Sequence, residues 1–348
     1  MRIPLGQAGG FDTIIDARSE DEYVLDHLPN AVNWPSLNNA ERITIGTMYK
    51  QMGGFEAQKH GAALVAANIS RHIQSHVLDL PRNWQPLIYC WRGGKRSGSL
   101  AMVLGQIGFK IHLIEGGYKS FRAAMLEDIE QIAPSFQYQV ISGPTGSGKT
   151  RLLQALKMEG AQVLDLEDLA QHRSSVLGHI PGQPQPSQKH FDMLVWQTLK
   201  QFDPTRVVFT ESESRKVGNL SIPEPVMLAM RNSPCHELLL PLQERVALLM
   251  EDYNFFVSDP SLFCKRLDAL VAIRGKALVE EWKALVQQGQ FEPVVYALLE
   301  THYDPTYASS MRRNFAKFES HKVCEAMNRN EETMGLLARG LIASTTGT

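Results

Sequence analysis

The sequence predicts an α/β protein of two domains, each built on a parallel sheet. Three observations carry that prediction. At 348 residues the chain is longer than one ordinary core organises. Short apolar strands alternate with helical stretches, the pattern of strand–helix–strand units whose sites lie at the strand ends. Two of those strands run into glycine-bearing basic loops, YCWRGGKRS at 89–97 and ISGPTGSGKT at 141–150. Loops of that kind point to chemistry on anions.

The elements follow in order. TIIDA (13–17) is a short apolar strand ending in a carboxylate, and SEDEYVLDHL offers a serine cap with acids in the first turn of a short helix. PNAVNWP turns into a further extended piece. A polar region over 39–60 precedes an apolar-periodic helix, GAALVAANISRHIQSHV. PLIYC is a buried strand that delivers Cys90 at its carboxyl end. RSGSLAMVLGQIG is a helix with a glycine stop, KIHLIEGG a strand and turn, and AMLEDIEQIAPS a helix leading to a linker. The second domain opens with FQYQVIS, and RLLQALKMEG and AQVLDLEDLA supply a helix and a further strand running into acids. GHIPGQPQPSQKH, rich in Pro, Gly and Gln, reads as a loop and a candidate lid. DMLVWQTLKQF is helical and TRVVFTESES is a strand ending in two glutamates. From about 237 to 300 the periodicity is helical throughout. The expected domains are residues 1–132 and 133–348.

Composition excludes several classes. A hydrophobic content of 43% with 21% charged residues is that of an ordinary globular protein. The net charge of -2 provides no global basic field for nucleic acid, although a local basic groove can serve inside a neutral protein. Cys90, Cys235, Cys264 and Cys324 lie far apart with no C-x-x-C pair, against a zinc site or a disulfide scaffold. The first residues lack the basic-then-apolar run of a signal peptide, and no stretch approaches 18 consecutive apolar residues. The expectation is a cytoplasmic protein with reduced thiols and no membrane span.

GPTGSGKT fits G-x-x-x-x-G-K-[ST], and here it follows a strand and opens a helix. Gly143, Pro144, Thr145, Gly146, Ser147 and Gly148 let the backbone fold so that amides face a phosphate. Lys149 adds a full charge to that of the helix terminus, and Thr150 offers a hydroxyl to a magnesium ion. Acids from neighbouring strand ends should face this loop: Asp165 and Glu167 after AQVL, Glu211 and Glu213 after TRVVFT. They are candidates to hold a metal or polarise its water, against the plainer reading of solvated loop carboxylates. ATP is the usual guest of such a loop, but the cradle fits any diphosphate.

Cys90 opens a C-x5-R pattern closed by Arg96. Trp91, Arg92, Gly93, Gly94 and Lys95 would wrap their amides around an anion facing the sulfur. Arg92, Lys95, Arg96 and the helix beginning near Ser97 favour a thiolate over the plainer reading of a buried structural cysteine. Two chemistries use this geometry: a phosphatase that attacks phosphoesters, and a rhodanese-type transferase that carries sulfur or selenium on the cysteine. Loop length leans toward phosphate, because ordinary rhodanese loops are one residue shorter; a wider loop equally suits a larger anion.

The opening segment decides the fold. IDARSEDEYVLDHLPNAVNWP resembles the rhodanese opening, with Asp16, Arg18, Glu22, His27, Pro29, Ala31 and Asn33 in its recurring places. These mainly brace the fold, with Arg18 and Glu22 expected as an ion pair and His27 structural. A rhodanese-like domain followed by a P-loop NTPase-like domain with a helical C-terminal part, carrying CWRGG-x-RS, resembles the bacterial tRNA 2-selenouridine synthase family. The likeness extends over ERITIGTMYKQMG, EGGYKSFR, DLEDLAQHR, QPSQ, ESESR and HYDPTY. One departure is visible: the family's His-Arg-Gly-Ser is here His172, Arg173, Ser174 and Ser175, which weakens a role for Ser174.

The resemblance implies replacement of sulfur by selenium in the wobble 2-thiouridine of tRNA, through an S-geranylated intermediate. It implies selenophosphate and geranyl diphosphate as co-substrates, tRNA as partner, and contact with a selenophosphate-producing enzyme. On this reading Cys90 holds or delivers selenium, the loop through Arg96 binds selenophosphate, and Gly143–Thr150 bind the diphosphate with help from Glu211 or Glu213. Basic and aromatic residues interleave in MRRNFAKFESHK (311–322) and EGGYKSFR (115–122), a mixture that suits an unstacked base and equally an ordinary helix surface. The rivals are a C-x5-R phosphatase fused to a P-loop kinase, a thiosulfate sulfurtransferase with an NTPase domain, and an inactive regulatory module.

Overall fold

The computed structural model describes residues 2–3, 10–173, 175 and 177–345. Two compact units, residues 1–128 and 129–348, divide within the helix Gly117–Ile132.

Among its described residues the first unit holds five strands: β1 (Arg2–Ile3), β2 (Thr13–Asp16), β3 (Ala31–Asn33), β4 (Pro86–Tyr89) and β5 (His112–Ile114). They pair in the order β1–β5–β4–β2–β3, all parallel. The continuous apolar run of β4 belongs at the centre of such a sheet, covered on both faces. Leu87, Ile88 and Tyr89 are each 0% exposed. Ile15, Ile88, Trp34, Trp84, Leu100 and Leu104 make the core around it. Cys90 therefore leaves the sheet from its most constrained strand.

The polar region over 39–60, to which the sequence assigned no element, is helical. It folds into the helix Asn39–Gln51 and the first turns of Gly54–His76. The Asn38 side chain accepts the Glu41 N–H at 2.8 Å, and Glu41 accepts the Asn38 N–H at 2.9 Å, a reciprocal cap. Gly53, at φ 91°, separates the two helices. No residue of Asn39–Gln51 is buried, so no apolar face disclosed its period.

The second unit holds β6 (Tyr138–Ser142), β7 (Gln162–Leu164), β8 (Val208–Glu211), the short antiparallel pair β9 (Lys216–Val217) and β10 (Leu220–Ser221), β11 (Cys235–Leu239) and β12 (Lys322–Glu325). The main sheet runs β12–β11–β6–β8–β7, all parallel, with β6 at its centre. The helical reading from 237 onward is thus corrected at its start, where residues up to Leu239 are strand. CHELLL is a short apolar run, ambiguous by periodicity, and one partner of β11 is the distant β12. Helices from Leu242 onward form a region with its own core, including Phe256, Phe263, Leu267, Trp282 and Leu298. Among the described residues no helix is long and apolar enough to cross a membrane.

Candidate functional site

The first loop closes on a buried thiol. Cys90 is 3% exposed, and its Sγ accepts a hydrogen bond from Ser97 Oγ at 3.1 Å. Ser97 lies in the first turn of the helix Lys95–Ile107, so the helix start is aimed at the sulfur. The turn after β5 braces the loop: the Tyr118 N–H donates to Cys90 O at 2.9 Å and the Lys119 N–H to Trp91 O at 3.0 Å. A Cβ at Gly117 would lie 2.3 Å from Cys90 O and 2.5 Å from Gly93 N, so only glycine permits this approach. Arg92 and Lys95 remain exposed.

Arg96 turns toward Glu22, with contacts of 2.6 and 3.3 Å to its two carboxylate oxygens, and Arg42 adds a third at 3.1 Å. Burial would raise the Glu22 carboxyl, but the hydrogen bond and charge of Arg96, then the charge of Arg42, hold it below the usual range. The expected Arg18–Glu22 pair is therefore corrected. Arg18, two residues beyond Asp16, folds back onto that carboxylate at 2.6 Å and lies 4.0 Å over the Tyr118 ring. Glu22, in the first turn of the helix Glu20–Leu25, faces the cysteine loop instead. His27 stacks on Tyr23 and its Nδ1 lies 2.9 Å from the Tyr23 carbonyl oxygen. The sequence singled out Cys90 and Arg96 but missed Ser97 as a partner of the sulfur; the serine at the first helical turn was the available signal.

The second loop joins β6 to the helix Lys149–Met158. Lys149 Nζ donates to Gly143 O at 2.8 Å, folding the lysine along the loop. A Cβ at Gly143, φ 151°, would lie 2.6 Å from Leu238 O. The crest of the loop is fixed from the helical region. Arg245 donates to Thr145 O from Nε and one terminal nitrogen, at 3.0 and 2.7 Å, and pairs with Asp304 at 2.6 Å. Arg245 is 6% exposed, and truncating it would leave Thr145 O and Asp304 without these partners. Nothing local in the sequence marks Arg245, whereas Asp304 belongs to the HYDPTY segment.

A cleft of about 610 Å³ lies over this loop. Asp165, Glu167 and Glu213 line it, joined from the helical region by Tyr253, Tyr303 and Tyr307. Glu211 stands behind them, 2% exposed, with Oε1 accepting the Glu167 N–H at 2.8 Å. Its Oε2 has no hydrogen-bond partner among the described residues. Burial, followed by the charges of Asp165, Glu213 and Glu167, holds the Glu211 carboxyl far above the usual range. Burial also pushes Glu167 up to about 7, against the pull of Lys149 and with the push of Asp165. Asp165 is raised by burial and accepts the Asp168 N–H at 2.9 Å. Thr150 Oγ1 is 3.4 Å from Glu167 Oε2. Tyr307 OH lies 3.4 Å from Glu237 Oε1, and Glu237 pairs with His321 at 2.9 Å. Among the described residues no group of three or more His, Cys, Asp or Glu is arranged to hold a metal.

The stretch expected as a lid holds no helix or strand from Gly178 to Ser187 apart from a single antiparallel bridge of His179 to His172, and Ile180 and Gln183 face the cleft. Gln185 anchors it through Ala170 O and Val217 O, at 3.2 and 3.0 Å. Ser174 lies outside the described residues. In both stretches read for RNA contact the aromatics are turned inward: Tyr118, Phe121, Phe315 and Phe318 are between 1% and 7% exposed. Arg312, Arg313, Lys317 and Lys119 remain exposed, leaving charge without a stacking platform.

Residues 5–124 match the family model of the rhodanese-like domain, and residues 136–261 match that of the tRNA 2-selenouridine synthase AAA domain. Among curated relatives, a tRNA 2-selenouridine synthase of Nitrosomonas europaea is 37% identical over 244 residues, 69% of this chain and 63% of the relative. One from Nitrosomonas eutropha is 38% identical over 247 residues, 69% of this chain and 62% of the relative. In these two the chain matches just under two thirds of the relative's length. A tRNA 2-selenouridine synthase of Bdellovibrio bacteriovorus is 29% identical over 361 residues, covering 90% of this chain and 94% of the relative.

Proposed function

The chain belongs to the tRNA 2-selenouridine synthase family, and from that premise we propose that it converts wobble 2-thiouridine in tRNA to 2-selenouridine. Geranyl diphosphate and selenophosphate are the co-substrates of this reading. The thiouridine sulfur attacks the first carbon of geranyl diphosphate, forming a C–S bond as the C–O bond breaks and diphosphate leaves with the electron pair. Lys149, the amides of Gly143–Thr150 and the helix start neutralise the charge that develops on the diphosphate. A selenium nucleophile then adds at C2 of the base and expels the geranyl thiolate, a better leaving group than the unmodified sulfur. Cys90 holds or delivers that selenium, with Trp91–Arg96 cradling the selenophosphate from which it comes. An enzyme that makes selenophosphate is accordingly a partner.

The observation that carries the reading is the pairing, in one chain, of a buried thiol in a basic loop with a diphosphate cradle opening into a large cleft. The Thr150 hydroxyl and the Glu167 carboxylate are hard oxygen donors of the kind magnesium takes, and an ion held there would offset diphosphate charge. Asp165 and Glu213 face the same cleft.

Purified full chain, thiolated tRNA, geranyl diphosphate and selenophosphate supply the test, with mass spectrometry of the nucleosides as readout. The expected products are 2-selenouridine with both co-substrates and S-geranyl-2-thiouridine without selenophosphate. Turnover of p-nitrophenyl phosphate, or sulfur transfer from thiosulfate to cyanide, with no change in the tRNA would overturn the reading in favour of the phosphatase or the sulfurtransferase.

A further inference from the structure

The cleft over the phosphate loop has an apolar annex. A second cavity, of about 50 Å³, shares Thr145, Ser175, Leu249, Tyr253 and Tyr303 with the cleft as common walls, so its polar groups lie at that mouth. Its remaining lining is Phe256, Phe263, Val295, Leu298 and Leu299 from the helical region, with Leu177 from the segment before the expected lid. Thr145 is the crest residue that Arg245 fixes, so the annex opens beside the diphosphate cradle rather than elsewhere on the fold.

The wall chemistry restricts what enters. Phe256 and Phe263 stack at 4.8 Å and Tyr253 stacks on Phe256 at 5.9 Å, leaving a hydrocarbon surface past the tyrosines. A nucleobase placed there would lose its hydrogen bonds to water and find few partners. An alkyl or alkenyl group loses nothing and gains from burial. In volume the annex admits only a few non-hydrogen atoms, on the order of four, by comparison with the space one water needs. That is about one branched isoprene unit.

We propose that this annex binds the apolar end of the same molecule whose diphosphate lies in the P-loop, and that its size selects a short isoprenoid chain. The inference rests on the reading of Gly143–Thr150 as a diphosphate site. Phe263 backs onto Phe291, with ring centroids 6.5 Å apart, so it is the wall whose removal would deepen the annex into the core. Val295 is only half-buried, and a larger side chain there would fill the annex from its less packed side.

Calorimetry on the full chain with inorganic diphosphate and with dimethylallyl, geranyl and farnesyl diphosphates separates the two claims. Wild type should bind geranyl diphosphate at least about tenfold more tightly than inorganic diphosphate, with no comparable gain from geranyl to farnesyl. Val295→Phe should leave inorganic diphosphate within about twofold and bring geranyl diphosphate down to that level. Phe263→Ala, checked for folding by circular dichroism, should shift the preference toward farnesyl diphosphate. Equal wild-type affinity for inorganic and geranyl diphosphate would overturn the annex while leaving the P-loop reading intact. So would a Val295→Phe variant that keeps the full geranyl gain. If Lys149→Ala left inorganic diphosphate binding unchanged, the P-loop reading itself would fall. The wild-type chain-length series decides the matter even where a variant fails to fold.

Discussion

Two anion loops in this chain share a plan and differ in what surrounds them. Each follows the central strand of a parallel sheet and opens a helix, so each offers inward amides and a helix start. The loop after β4 is tight. Its sulfur is buried, its backbone is stitched to the Gly116–Lys119 turn, and its closing arginine is tied to Glu22. The loop after β6 is open, bordered by a cleft of about 610 Å³ and backed by acids that burial raises above the usual carboxylate range. The lesson is a division of labour. A tight loop around one reactive atom suits a small tetrahedral anion, whereas an open loop suits a ligand with a body beyond its phosphates.

The strongest test of that division crosses the two loops. Cys90→Ala should abolish selenouridine formation, by about a thousandfold or more, while geranylated tRNA still accumulates. Lys149→Ala should do the reverse at the first step, lowering geranylation by about 100- to 1000-fold. Nucleoside mass spectrometry with each co-substrate omitted in turn reads both effects. Full selenation without Cys90, or undiminished geranylation without Lys149, would erase the distinction between the loops.

The two loops were also unequally legible. Both signatures are local, and each fixes its own strand, turn and helix within about ten residues. What surrounds them is not local. Arg245 holds Thr145 from a distant helix, and Tyr303 and Tyr307 arrive from the segment just before and within the helix Asp304–Asn314. Strand β11 needed β12, beyond the whole helical region, to be recognisable. The Arg18–Glu22 expectation failed for a related reason. Two opposite charges one turn apart invite pairing, but Asp16 lies closer to Arg18, and Arg96, far along the chain, claims Glu22.

Glu22 offers a way to sharpen the comparison at the tight loop. Its carboxylate holds Arg96 and lowers the net positive charge that the loop presents. Glu22→Gln should free that charge and tighten phosphate or selenate protection of Cys90 against iodoacetamide by about threefold to tenfold. That corresponds to roughly 1 kcal/mol for one partly screened charge. Diphosphate binding at the second loop should not change. Unaltered protection of Cys90 would mean that the Arg96 charge does not reach the anion.

The smallest expected effect belongs to the open loop and concerns stability. Glu167 is held at about 7, above the usual value near 4.5, chiefly by burial. Between those values the folded chain keeps a proton that the unfolded chain has lost, so stability falls as pH rises through that window. The decline attributable to Glu167 is on the order of 3 kcal/mol at most, because its titration is shared with Asp165 and Glu211. Glu167→Gln removes the titration while keeping the shape. In the absence of ligand, its urea midpoint should drop less between pH 5 and 8 than that of wild type. The difference should be confined to the second unit, followed through Trp196 and Trp282 fluorescence. Part of the decline should persist, since Asp165 and Glu211 are raised with the same sign. Parallel declines in wild type and variant would show that Glu167 is already ionised well below neutrality, and that the floor of the open loop is charged before any diphosphate arrives.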